Sequence, residues 1–412
     1  MKKLISLLLM LVMVLSVACT VHAEGLQGTL IIASRYTGVQ GEAFESIIEG
    51  FKAENPGVTV ENQVSTDDYE DLMKAKMAAN HLPDVFMTHG WSVMRYSKYL
   101  LPLNDEPWAK DIVQGLYSSI QDADGNIYVL PNTIAWTGVL VQKELLDELG
   151  LEIPKTVEEF YHCCEVAKEA GYVGVYMAGK DTRSPAYVLN LMAPSFLLNG
   201  PEADEIGATL QGGTFDWNKW AEVNGFLMDL KDKGYLNVDC GTADTVYQSE
   251  MLVAKEALFV FQRNSVLLEA WDIDPEAKLG FIPMPAKDAS EEPYLVGGES
   301  QAFGIWKDSQ VIDIAKAFLA YMARPENIKL IAEVNGEAAG LTGVEVDSGN
   351  LTEWFEAWAE TKTLPWFDRV YLPSGMWATM RDTGSALIGG EATIEQADEV
   401  MHEKYDQLLA QQ

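Results

Sequence analysis

Apolar residues recur along the chain in two alternating rhythms. Thr29 to Ala33 is a short buried-type strand, followed by a polar loop from Ser34 to Gln40. Phe44, Ile47, Ile48 and Phe51 then fall at i, i+3, i+4 and i+7, one stripe of a helix that Asn55-Pro56-Gly57 stops. Val58 to Val64 predicts a second strand, and Asp84 to Thr88 a third. Between them Tyr69, Leu72, Met73 and Met77 predict a second amphipathic helix, with Asp67 as its N-cap. Such alternation predicts α/β layers with largely parallel sheet, in which ligands sit at the carboxyl ends of strands. Those ends are the loops Ser34 to Gln40 and His89 to Ser92.

The stretch Gly125 to Lys143, GNIYVLPNTIAWTGVLVQK, changes that picture. Ile127 to Leu130 and Thr137 to Val141 favour extended backbone, and Pro131 between them removes a donor. They predict two strands joined by an extended crossing. Downstream, Thr156 and Glu159 form a capping box that opens a helix over Val157 to Ala170.

Length and composition add compartment and domain count. Residues 1–23 carry Lys2 and Lys3, an apolar run from Leu4 to Val17 and no acid, the pattern of a secretory signal. The run is too short to span a bilayer comfortably, and no later stretch approaches the length of an integral membrane segment. Two processing sites compete: cleavage after Val21-His22-Ala23, or lipidation of Cys19 in Ser16-Val17-Ala18-Cys19, where a lipobox usually has Leu in place of Ser16. Either leaves the protein outside the cytoplasm, secreted or anchored on the outer face of the membrane. The remaining length suggests two domains, with no low-complexity linker between them. Net charge is −33, and −35 without Lys2 and Lys3, a field that repels nucleic acid and anionic lipid. Cys163, Cys164 and Cys240 are an odd set that builds no complete disulfide framework, and the adjacent pair reads as small core residues.

Several fragments, in order, resemble the family 1 extracellular solute-binding proteins of ABC importers, the maltodextrin-binding class. FKAENPGVTVE, LPDVFMTHG, YLLPLND and GNIYVLPN look like first-lobe landmarks. KLGFIPMPA with YLVGGESQAFGIWKDS looks like the return to that lobe, and IGGEATIEQADEVMHEKYDQLL like the last helix. The resemblance implies a two-lobed periplasmic-binding-protein type 2 fold, each lobe a mostly parallel sheet flanked by helices, joined by hinge crossings around Asn132 to Trp136. It places residues 24–134 and 279–340 in the first lobe, and 135–278 and 341–412 in the second.

Nucleotide-binding, nucleophile-elbow and metal signatures are absent from the sequence, while its acids are abundant enough to hide a glycosidase carboxylate pair. The paired glycines match neither a P-loop nor a dinucleotide fingerprint, no G-x-S-x-G occurs, and the histidines lack metal-ligand spacing. No cofactor and no metal are expected. What stands out is 11 Trp, 16 Tyr and 14 Phe in an acidic, exported chain. Sugars present apolar C–H faces and hydroxyl rims, so they stack on rings and are bracketed by planar polar groups. Trp217, Trp220, Trp306, Trp354 and Trp358 read as core. Trp91 after a strand, Trp136 on the hinge, Trp366 after Pro365 and Trp377 at a helix start are the candidates for ligand contact. For Trp377 the resemblance implies stacking on sugar.

The polar candidates are Arg35 and Tyr36 in the first strand-helix loop, Glu42 at the next helix start, Lys180 and Arg183 after strand Val173 to Ala178, and Glu299 after two glycines. Arg263 and Asn264 follow strand Leu258 to Phe261, where the family often has a Gly-x-Trp turn; Gln262-Arg263-Asn264 replaces it and leaves the ligand open. Three functions are therefore carried forward. The first is an importer's monomeric receptor that captures a carbohydrate by hinge closure and presents it to membrane permease subunits. The same fold binding a peptide, polyamine or other small solute is the second, and a secreted hydrolase using two carboxylates the third.

Overall fold

The computed structural model describes residues 25–411 apart from 67, 89 and 91. The signal, Cys19, Asp67 and Trp91 lie outside the described residues. Thirteen strands among the described residues, in chain order, are β1 Gly28–Ser34, β2 Val58–Val64, β3 Val85–Met87, β4 Val129–Pro131, β5 Thr133–Ile134, β6 Val139–Gln142, β7 Val173–Val175, β8 Ala257–Val260, β9 Leu279–Ile282, β10 Leu295–Gly297, β11 Ala302–Ile305, β12 Ala338–Ala339 and β13 Thr363–Pro365. Two larger sheets organise them. One has the order β2-β1-β3-β11-β4 and the other β7-β8-β6-β9.

Each sheet has its own core. Phe44, Phe86, Phe303 and Phe318 belong to one, and Phe160, Phe226, Phe259 and Phe281 to the other; Trp136 and Ala338 pack against both. The apolar stripe Phe44, Ile47, Ile48 and Phe51 is buried on the helix Gly38–Glu54, as its spacing predicts. The helix Val157–Glu169 opens on the predicted reciprocal box: Glu159 N donates to Thr156 Oγ1 at 3.2 Å, and Thr156 N to Glu159 Oε2 at 3.3 Å. Cys163 and Cys164 are buried on this helix, and burial pushes the Cys163 thiol up to about 11. Trp217, Trp220 and Trp354 are core residues, Trp306 packs against the first core, and Trp358 donates Nε1–H to Phe281 O at 2.8 Å.

The expectation of mostly parallel sheets needs correction. β1 pairs in parallel with β2 and β3, and β7 with β8, but β11 runs antiparallel to β3 and β4, and β6 antiparallel to β8 and β9. The reason is the crossings. The strands that enter a lobe at the joint, β6 and β11, run against those built by local strand-helix-strand units, while β4 and β9, which leave, run with them.

Core membership also locates the joint. The chain changes core between Ile134 and Val139, between Val296 and Ala302, and between Leu341 and Leu351. It stays with the second core past the expected boundary at 279, because β9 pairs with β6, and with the first past 341, because Leu341, Val344 and Val346 pack there. The three crossings lie side by side. β12 pairs with β5, Ala135 N donates to Gly298 O at 3.0 Å, and Gly340 N to Asn132 O at 3.0 Å. No helix among the described residues is long and apolar enough to cross a membrane.

Candidate ligand-binding site

Two adjoining cavities open between the cores. The larger, of about 540 Å³, is walled on the first lobe by Arg35, Glu70, Lys74 and Arg95, and on the second by Tyr187, Asn190, Arg263, Trp366, Asp368, Arg369, Ser374 and Trp377. The smaller, of about 190 Å³, lies against the crossing residues Trp136, Ser300 and Glu337 and shares Arg263, Trp366 and Arg369 with it.

On the first-lobe wall one carboxylate organises two forks. Glu70 accepts from Arg35 Nη1 at 3.3 Å and from Arg95 Nη1, and Tyr96 OH donates to its Oε2 at 3.2 Å. Arg35 comes from the loop at the carboxyl end of β1, and its guanidinium stands 5.7 Å from the centroid of Tyr69. Arg95 reaches across the opening, where Nη2 donates to Ser374 Oγ at 3.1 Å. Such forks present planar, bidentate donors to oxygen-rich ligands.

The second-lobe wall is built where β13 ends. Trp366 follows Pro365 and precedes the short helix Phe367–Val370, and two guanidiniums stand over its indole, Arg369 at 5.2 Å and Arg263 at 5.7 Å from the ring centroid. Asp368 is buried and held at both ends of one amide: Asn190 Nδ2 donates to its Oδ1 at 2.8 Å, and its own backbone N–H to Asn190 Oδ1 at 3.0 Å. Burial pushes the Asp368 carboxyl up against the pull of Arg369. Burial likewise lowers Arg369, with Arg263 adding repulsion, while Asp368 and Glu299 oppose the shift. Arg369 Nη1 and Trp366 Nε1 are buried and have no hydrogen-bond partner among the described residues. Gly90 has φ +79°, and a Cβ there would collide with Arg369 Nη1, so glycine is required for both conformation and space.

Trp377 sits in the first turn of the helix Met376–Gly389, edge-on to Tyr187 at 5.2 Å. Gly375 precedes it with φ +112°, a turn that only glycine makes without strain. Trp136 and Asn264 line the smaller cavity, where Asn264 Nδ2 donates to Trp136 O at 2.9 Å.

The other sequence candidates lie elsewhere. Tyr36 is buried among Phe44 and Phe303 in the first core, and Glu42 is exposed on its helix. Lys180 is paired with Asp244 at 2.6 Å and Arg183 with Asp181 at 2.7 Å; neither lines the two cavities. Glu299 is buried behind the cleft, accepts from Ser92 Oγ at 2.8 Å, and its carboxyl is raised by burial. Arg369, Asp368, Tyr187, Asn190, Arg95 and Glu70 line the cleft and escape sequence reasoning. For the first two a signal exists: an adjacent acid and arginine directly after Trp366-Phe367. The others carry none, since their positions on helices read as ordinary core or surface.

Residues 37–329 match the model of the bacterial extracellular solute-binding protein family. The chain is 31% identical to the melibiose/raffinose/stachyose-binding protein MelE of Bacillus subtilis (strain 168), over 100% of this chain and 98% of that one. Among solved structures, a binding protein MsmE from Bacillus subtilis in an open conformation superposes with a TM-score of 0.89 at 31% identity, covering 93% of this chain and 98% of that one. A sugar transporter protein from Bacillus licheniformis in complex with stachyose gives a TM-score of 0.76 at 32% identity, covering 92% and 100%. The chain belongs to the bacterial extracellular solute-binding protein family.

Proposed function

We propose that this protein is the extracytoplasmic receptor of an ABC importer and that it captures an oligosaccharide in the cleft between its two lobes. The observation that carries this reading is the wall chemistry of the larger cavity. Trp377 offers a partly exposed ring face for the C–H surface of a sugar, while Arg35 and Arg369 offer guanidinium donors for its hydroxyls. Melibiose, raffinose and stachyose, named for the relative MelE, are the first sugars to test.

Capture would proceed by closure. A ligand held by Arg35 on one lobe and Trp377 and Arg369 on the other stabilises the closed form more than the open one, which shifts the population. The closed form is then what the membrane permease receives. Retention at the membrane through Cys19 and free release after residue 23 are the two alternatives, which mass spectrometry of the mature amino terminus separates. The reading is of binding without turnover, in which Glu70 is engaged by two arginines and Asp368 by Asn190 as parts of the cleft wall.

Small-angle scattering with and without raffinose tests the reading, together with chromatography of the sugar after incubation. Compaction with intact sugar is expected. An unchanged profile at saturation would exclude closure, and hydrolysis products beyond one equivalent would make the protein an enzyme.

A further inference from the structure

We propose that Arg263 is a movable partition that sets how long a saccharide the cleft accepts, an inference that rests on the carbohydrate reading above. The two cavities meet at three side chains, Arg263, Trp366 and Arg369, which line both. At about 540 Å³ the larger falls within the roughly 300–1,000 Å³ usual for small-molecule sites; the smaller, at about 190 Å³, falls below it. The smaller chamber is therefore an annexe of the larger, and it carries the same two kinds of group. Trp136 and Phe355 give it aromatic walls, their ring centroids 6.3 Å apart, and Asn335 and the Glu337 carboxylate give it polar ones.

The two arginines at the junction differ in how they are held. Arg369 is buried beside Asp368 and confined by Gly90. Arg263 is exposed, and its side chain makes no hydrogen bond or salt bridge among the described residues; it rests over the ring of Trp366. Arg369, over the same ring, repels it, while the Asp368 and Glu337 carboxyls attract it from either side of the junction. Exposed and tied by no side-chain hydrogen bond or salt bridge among the described residues, Arg263 can swing aside and open one chamber into the other. At that junction the buried donors Trp366 Nε1 and Arg369 Nη1 have no acceptor among the described residues, and a sugar oxygen passing the partition would supply one.

Calorimetric titration of the full chain with melibiose, raffinose and stachyose tests this in wild type, Arg263→Ala and Leu268→Trp. Leu268 lines the smaller chamber and is 37% exposed, so both substituted sites lie at the surface, and thermal melting checks that the variants fold. Removing the partition should raise the ratio of stachyose to melibiose affinity by about tenfold, and filling the annexe through Leu268→Trp should lower it by about tenfold. A ratio unchanged in both variants, with sugars still bound, would overturn the partition alone. Absence of binding by any of the three sugars to wild type would overturn the carbohydrate reading, and the partition with it.

Discussion

Thr133 Oγ1 donates to Glu337 Oε2 at 2.6 Å, joining the first crossing between the lobes to the third. Ser300 Oγ, on the second crossing, donates to Oε1 of the same carboxylate at 2.8 Å, so one side chain ties all three strands of the joint.

Glu337→Ala should therefore lower stability by about 1–3 kcal/mol, because two hydroxyls lose their acceptor. Glu337→Gln keeps one acceptor and should cost about 1 kcal/mol or less. Urea unfolding of both variants checks the order, and equal losses would contradict it.

Arg369→Ala removes the charge beside buried Asp368. No salt bridge joins the two, so the expected loss of stability is about 1–3 kcal/mol, the ordinary range for a buried substitution, together with raffinose binding. Gly90→Ala should act in the same direction by displacing Arg369. Thermal melting with and without sugar reads both effects.

Trp377→Ala should weaken sugar binding by about 1.4 kcal/mol, or about tenfold in Kd, through loss of an aromatic face. Its helix is held mainly by other side chains, so melting of the free protein should change far less. A loss of fold with no specific loss of affinity would assign Trp377 to packing with Tyr187.

Asp398 supplies a test by pH. Burial raises its carboxyl from 3.8 to about 6, with Glu395 adding to the rise and Asn224, whose Nδ2 donates to Oδ1 at 2.7 Å, opposing it. Between about pH 6 and 4 the folded state binds more protons at this site than the unfolded one, so its contribution to stability grows as pH falls. The half-exposed position reduces that gain to about 1–2 kcal/mol. Asp398→Asn should remove it, so the difference between variant and wild type should shrink toward about pH 4. A difference independent of pH would refute the assignment.

Much of the scaffold was legible because it is local. The stripe at Phe44 to Phe51, the Thr156 box and the extended run through Pro131 each depend on residues within a turn or two. The strand directions and the lobe boundaries at 297–302 and 341–351 were not, because β6, β9 and β11 take their orientation from partners far along the chain. The site divided the same way. Trp366, Trp377, Arg35 and Arg263 lie at strand ends or helix starts, where α/β sites gather. Arg95, Tyr187 and Asn190 are ordinary helical residues until the second lobe folds against the first. Lys180 and Arg183 are in a loop of the expected kind, but they pair with Asp244 and Asp181 and line neither cavity.

The most direct measurement is calorimetric titration of the protein, refolded to remove any carried ligand, with raffinose and stachyose alongside a peptide and a polyamine. The account predicts saturable one-to-one binding of a sugar, with no heat from the peptide or polyamine. Silence for the sugars with saturable heat from the peptide or polyamine would contradict it, as would continuous heat from hydrolysis.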